Sequence, residues 1–323
     1  MRLYKSLFVG LVMSTTAAVA HAETWEMATP YPESNFHTKN VLQFTKDIDQ
    51  ATDGKLKIKV HAAGSLIKHP EIKNSIRSRQ IQIGEFFVSI LANEDPIFAL
   101  DSVPFVAVSF DDAFKLYQAS KPTLEEKLGK QGLKILYSVA WPPQGLYSDR
   151  EINKIDDLRG LKFRVYNPQL ARMAQLVGAV SAQVEVPDLA QAFTTGRVNT
   201  MLTATSTGVD SKAWDYLKYF YDVKAYLPKN VVAVNQKAFD SLEPSAQKAV
   251  LDAAAAAEKR GWKMAEADHL AKRNVLEEHG IKVSDGSENL NVGLQKVGVQ
   301  MAEEWSKSAG ETGAAILKDY RSR

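Results

Sequence analysis

Asp156-Asp157-Leu158-Arg159-Gly160-Leu161-Lys162-Phe163-Arg164-Val165-Tyr166-Asn167-Pro168 is the stretch on which the reading of this chain turns. The Asp residues and Gly160 make a turn. Leu161, Phe163 and Val165 then alternate with Lys162, Arg164 and Tyr166, which predicts a strand over 161–166 with one apolar and one polar side. Pro168 opens a helix running to Gly178, Pro187 opens another to Gly196, and 198–202 is a short strand. Strand, helix, helix and strand in that spacing are the sign of an α/β unit.

The same alternation lies upstream. Val41, Phe44 and Ile48 share one face of a helix over 38–51, Asp53-Gly54 stops it, and Leu56, Ile58 and Val60 alternate as a strand. A short helix after Pro70 turns Ile72 and Ile76 inward, and 81–91 reads as a buried strand. Two helices follow, 110–119 and 122–130, and then a strand over 133–140 that ends against Trp141-Pro142-Pro143. Downstream, 244–279 has no proline after its first residue and is rich in Ala, Glu and Lys, so it predicts one long helix that stops at Gly280, with Gly261 marking a bend. The fold class is therefore α/β, as two lobes with largely parallel sheets joined by strand crossovers.

Composition bounds the rest. A chain of 323 residues, 45% hydrophobic and 24% charged, has room for a large core and two domains, which excludes disorder, collagen and coiled coil as the main state. The absence of cysteine excludes thiolate catalysis, Cys-ligated metals and disulfides. Arg2 and Lys5 precede an apolar run that ends in Ala20-His21-Ala22, the pattern of a cleavable signal peptide over 1–22, with Glu23 as the mature start. Cleavage would remove two of the 40 basic residues and none of the 38 acidic ones, leaving a formally neutral protein without the clustered basic face that nucleic acid requires. No later segment reads as membrane-spanning.

The motifs of catalysis are missing: there is no H-E-x-x-H, G-x-S-x-G, Walker loop or G-x-G-x-x-G. The expectation is a protein that is not an enzyme and needs no cofactor, and His37, His61, His69, His269 and His279 lack ligand spacing and read as surface or loop residues. Arg164 stands out because a guanidinium offers a planar fork for a carboxylate. On pattern alone, however, it reads as a solvated strand arginine, and Trp141 and Tyr166 as core filling.

The stretch from Asp156 to Pro168, with Gly178-Ala179 and the helix over 189–196 behind it, resembles the solute-binding proteins of TRAP (tripartite ATP-independent periplasmic) transporters. Ala28-Thr29-Pro30, Thr52-Asp53-Gly54-Lys55-Leu56-Lys57-Ile58, Asp101-Ser102-Val103-Pro104-Phe105 and the long late helix extend the resemblance over the mature chain. It implies a two-lobed periplasmic binding protein fold with hinge strands and a long helix bracing both lobes, 23–142 plus 229–268 forming lobe I and 143–228 plus 269–323 lobe II. It implies capture of a small organic acid, a monocarboxylate or a hydroxy or keto acid, branched or aromatic, and delivery to a sodium-driven membrane permease. In that family pattern Arg164 grips the substrate carboxylate. Gln144 stands where some relatives carry a second arginine, Met201-Leu202-Thr203 replaces a polar run, and Phe87, Val186, Trp141, Tyr166 and Asn167 fall at or near the site. Two other functions stay open: a periplasmic enzyme of unusual type, and a ligand sensor that signals to a membrane receptor.

Overall fold

The computed structural model describes residues 23–323, so the expected signal peptide lies outside the described residues. The chain runs through β1 (Glu23–Ala28), α1 (Phe36–Ala51), β2 (Leu56–His61), α2 (Ile72–Arg77), β3 (Ile83–Phe87), α3 (Phe110–Gly129) and β4 (Leu133–Ala140). It continues through β5 (Gly145–Ser148), β6 (Lys162–Val165), α4 (Pro168–Leu176), β7 (Val180–Gln183), α5 (Leu189–Thr194), β8 (Thr200–Thr203), α6 (Thr205–Asp210) and β9 (Tyr219–Tyr221). The last elements are β10 (Lys229–Asn235), α7 (Gln236–Asp240), α8 (Pro244–Glu278), β11 (Lys282–Ser284) and α9 (Glu288–Ser322).

Two sheets result, in the orders β2-β1-β3-β10-β4 and β11-β9-β5-β8-β6-β7. The expected parallel pairing holds for β2-β1-β3, β8-β6-β7 and β11-β9. It fails where the chain passes between sheets, because β10 runs antiparallel to β3 and β4, and β5 antiparallel to β8 and β9. Each sheet is therefore mixed, and the antiparallel strands are the ones that carry the crossing. The crossings 141–144 and 222–228 lie side by side, with the Trp141 N–H donating to the Pro228 carbonyl (2.8 Å), Gln144 to Tyr226 (2.9 Å) and Ala225 to Gln144 (3.0 Å). This paired ribbon connects two lobes, each a sheet flanked by helices.

Several elements differ from expectation. The strand read over 81–91 is β3 followed by a 3-10 turn over Val88–Leu91. The helices read over 110–119 and 122–130 are one, α3, with Pro122 inside it. Burial of Leu116, Tyr117 and Ala119 before the proline and Leu124 and Leu128 after it, along one face, outweighs the roughly 3 kcal/mol a mid-helix proline costs. Gly261 is not a bend: α8 is continuous there, and a Cβ at this position would collide with Val139 of β4 and Asn40 of α1, so glycine permits a close seam. Asn40 Nδ2 donates to the Ala257 carbonyl in the same seam (2.9 Å). At its other end α8 buries Leu276 with Phe220, Met201 and Ile281 in the core of the second lobe, so this helix braces both.

A second long helix, α9, breaks at Gly310 (φ 56°). Leu290, Leu294 and Met301 join the large cluster that runs through both lobes and includes Leu158 and Leu170 of the second, whereas Trp305, Ala309 and Ile316 pack with α3 and the 3-10 turn over Pro96–Ser102 of the first. Among the described residues no helix is long and apolar enough to cross a membrane.

Candidate functional site

Open α/β sheets present ligands to the carboxyl ends of their strands, where backbone groups and side chains are not used by a helix crossover. Here those ends face each other across the crossing ribbon. Tyr31, three residues after β1, Phe87 at the end of β3 and Trp141 just after β4 meet Arg164 and Tyr166 of the β6 end, Glu185 and Val186 after β7, and Thr203 at the end of β8. Together with His69, Gln144 and Thr207 they line a small cavity between the two sheets.

Arg164 is the charge at its centre. The polar side of β6 is not exposed: the first lobe covers it, and Arg164 is 2% exposed. Its Nε donates to the Val184 carbonyl (2.9 Å) and its guanidinium carbon lies 4.4 Å from the centre of the Tyr166 ring. Among the described residues it has no ion pair, and Val184 is its one protein hydrogen-bond partner. Burial pulls its pKa below the ordinary arginine value, against the pull of Tyr166 and Glu185. A guanidinium stays charged even so, which leaves a buried cation with its two terminal nitrogens free for an anion.

Glu185 is the second charge. Its carboxylate takes the His69 Nδ1 hydrogen at 3.3 Å, and His69 Nε2 accepts from the Phe87 N–H at 3.1 Å, which assigns the proton to Nδ1. Burial raises the Glu185 pKa, but the His69 hydrogen bond and Arg164 outweigh it and hold the carboxyl below its usual range. The cavity thus holds one cation and one anion.

Seven of the eight residues singled out in the sequence line this cavity: Phe87, Trp141, Gln144, Arg164, Tyr166, Val186 and Thr203. Asn167 does not. It caps α4 by accepting from the Leu170 N–H (2.8 Å), and its Nδ2 donates across the cleft to Ser89 Oγ (2.8 Å). Gln144 lines the wall with both ends of its amide engaged, Nε2 on the Pro142 carbonyl (2.8 Å) and Oε1 under the Tyr166 hydroxyl (2.9 Å). That hydroxyl also lies 3.0 Å from Tyr226, and burial pushes Tyr166 up to about 12 against the Tyr226 hydrogen bond and Arg164. Trp141 Nε1 donates to Asn230 (3.0 Å).

Tyr31, Glu185 and Thr207 also line the cavity without any mark in the sequence pattern, as does His69. Three of the histidines read as surface or loop residues, His37, His69 and His269, are buried, because each has an acidic neighbour: Glu85 at 3.1 Å, Glu185 at 3.3 Å and Asp222 at 3.4 Å. The only cue for them was the presence of carboxylates elsewhere in the chain. Contacts between the lobes outside the cavity include Asn35 Nδ2 to Asp210 Oδ2 (2.8 Å) as well as Asn167 to Ser89, so the cleft is closed in this structure.

The sequence profile of the bacterial extracellular solute-binding protein, family 7 (DctP), matches residues 27–307. The fold superimposes on DctP6, a Bordetella pertussis extracytoplasmic solute receptor binding pyroglutamic acid, with a TM-score of 0.92 and 46% identity over 93% of this chain and 100% of that one. A TRAP solute-binding protein from a marine metagenome, specific for pyroglutamate and solved with it, gives a TM-score of 0.92 and 34% identity over 94% and 100% of the two chains. A solute-binding protein of Chromohalobacter salexigens is 21% identical over 281 residues, 86% of this chain and 84% of its own.

Proposed function

Because the chain belongs to the family 7 extracellular solute-binding proteins, the receptors of TRAP transporters, we propose that it captures a small cyclic carboxylic acid of the pyroglutamate type. It holds the acid in the periplasm between lobes divided as 23–142 plus 229–268 and 143–228 plus 269–323, and hands it to a sodium-driven membrane permease. The observation that carries this reading is the buried Arg164 guanidinium without a counter-ion, beside a closed, aromatic-walled cavity. Burying such a charge alone is unfavourable, and a ligand carboxylate removes the penalty while filling both free prongs of the fork.

Glu185 narrows the class. An ionised carboxylate in the same cavity repels a second acid group and accepts from an N–H or O–H. A lactam acid carries its carboxylate and its ring N–H on adjacent atoms, one suited to Arg164 and the other to Glu185. Phe87, Trp141 and Tyr166 supply faces for its methylenes. Both pyroglutamate receptors described above support this choice.

Titration calorimetry with pyroglutamate, with 2-pyrrolidinone (the same ring without the carboxylate) and with glucuronate tests it. Pyroglutamate is expected to bind and the other two to fail. Replacing Glu185→Gln is expected to weaken pyroglutamate by about 0.5–1.5 kcal/mol, a single hydrogen bond's worth. Equal binding of 2-pyrrolidinone, or none by pyroglutamate, defeats the proposal.

A further inference from the structure

Behind the aromatic wall lies a buried carboxylate to which the ligand has no access. Glu85 of β3 is 2% exposed, and three side chains converge on it: Thr29 Oγ1 (2.6 Å) on one oxygen, and Asn230 Nδ2 (3.0 Å) and His37 Nδ1 (3.1 Å) on the other. Burial raises its pKa, yet these partners outweigh burial and hold it below the usual range, so it is an anion. An anion accepts and never donates, which fixes the Asn230 amide with its nitrogen toward Glu85 and its oxygen toward the cavity.

That one oxygen takes both polar hydrogens of the wall. Trp141 Nε1 donates to it at 3.0 Å and the Tyr31 hydroxyl at 3.2 Å. The two rings meet edge to face, 4.8 Å between centroids and 74° between planes, and both line the cavity opposite Arg164. Resting on the reading of that cavity as the acid-binding site, we propose that Asn230, oriented by Glu85, is a positioning residue that sets the angle of the Tyr31–Trp141 wall and with it the affinity for a flat ring acid.

Asn230→Asp keeps the acceptor for both rings and changes only what faces Glu85. Two buried carboxylates side by side retain a proton between them, and with that proton one donates to the other and the native arrangement returns. The competent form is the protonated pair, so affinity is present below its apparent pKa and is lost as pH rises through it. The titratable groups facing the pair are His37 from α1, Tyr31 after β1 and Tyr137 from β4, with Glu185 across the cavity and Arg260 of α8 acting on Tyr137. Wild type measured in parallel divides out their own titration.

Pyroglutamate calorimetry from pH 5 to pH 8 is the experiment. The ratio of wild-type to Asn230→Asp affinity is expected to be about tenfold at the alkaline end and to fall within about threefold at the acid end. A ratio within threefold throughout, or one that does not change with pH, overturns the proposal. Should circular dichroism show that Asn230→Asp is unfolded at the alkaline end, Tyr31→Phe decides. It removes one donor to Asn230 and keeps the ring; a loss of about threefold supports the proposal and unchanged affinity defeats it. Should wild type not bind pyroglutamate, the functional reading fails by itself. The positioning role is then read from the near-ultraviolet tryptophan band of the ligand-free proteins, expected to change with pH in Asn230→Asp more than in wild type, and overturned by identical profiles.

Discussion

Two arginines eight residues apart have opposite surroundings. Arg172, on α4, makes a bidentate pair with Glu304 of α9, Nε at 2.9 Å and Nη2 at 2.6 Å, in solvent. Arg164, on the strand before it, is buried with no carboxylate among the described residues. The protein has paired the arginine that bulk water already stabilises and left unpaired the one that is 2% exposed. Such an arrangement is unfavourable for folding, and its natural reading is a site whose counter-ion arrives from outside.

Arg164→Met breaks this comparison most severely. It replaces the unpaired cation with an apolar chain, so binding of the acid is expected to fall by about 2–5 kcal/mol while the ligand-free protein keeps or gains stability. Calorimetry and urea unfolding of the same preparation test both halves. A loss of stability as large as the loss of affinity would make Arg164 a structural residue and remove the contrast.

A smaller effect is expected at the rim. Asp210 joins Asn35 across the cleft and touches no part of the cavity. Asp210→Ala is expected to weaken every bound acid by the same factor, about 0.5–1.5 kcal/mol, because only the closed state loses a contact. Stopped-flow kinetics should place the change in the dissociation rate; a change in selectivity between acids would show that the rim acts on the cavity itself.

Arg172→Ala sits at the bottom of the scale. Binding is expected to be unchanged, with a slight fall in melting temperature that fades at high salt, as for other solvated pairs. The pair gives its own pH signature. Arg172 holds Glu304 down to about 2 in the folded protein, so its contribution is present above the ordinary glutamate value and is lost as pH falls toward 2. Solvent screening keeps it small. Any effect of Arg172→Ala on acid affinity would tie the α4–α9 face to the cleft and soften the contrast.

Legibility in the sequence follows the range of the interactions. The turn at Gly160, the alternation through β6, the proline at the start of α4 and the length of α8 are local, and they place Arg164 at a strand end before any partner is known. The same alternation misleads on burial: it assigns Arg164 and Tyr166 to an outer side, because the lobe that covers them comes from residues such as Tyr31 and Phe87, far away in the chain. Glu185 and His69 lie 116 residues apart and meet only across the closed cleft. α9 is a different case, since Leu290, Leu294, Gly298, Met301 and Trp305 recur at helical spacing behind the Ser287 cap. That spacing and cap are local, so this helix is legible from the sequence even though it forms no part of the elements predicted above.

The seam at Gly261 gives the closing motion a mechanical character. At 1.5 Å per residue α8 is a beam about 50 Å long. It is clamped near its middle to the first lobe by Val139 of β4 and Asn40 of α1, and at its far end to the second by Leu276. Separation of the lobes cannot slide either clamp without opening a void, so the rotation has to flex the turns between Gly261 and His269, where Thr205 and Asp222 first tie the helix to the second lobe. A helix that bends gently over several turns resists in proportion to the angle, as a leaf spring does. The paired ribbon then sets the axis of the movement, and α8 sets its stiffness.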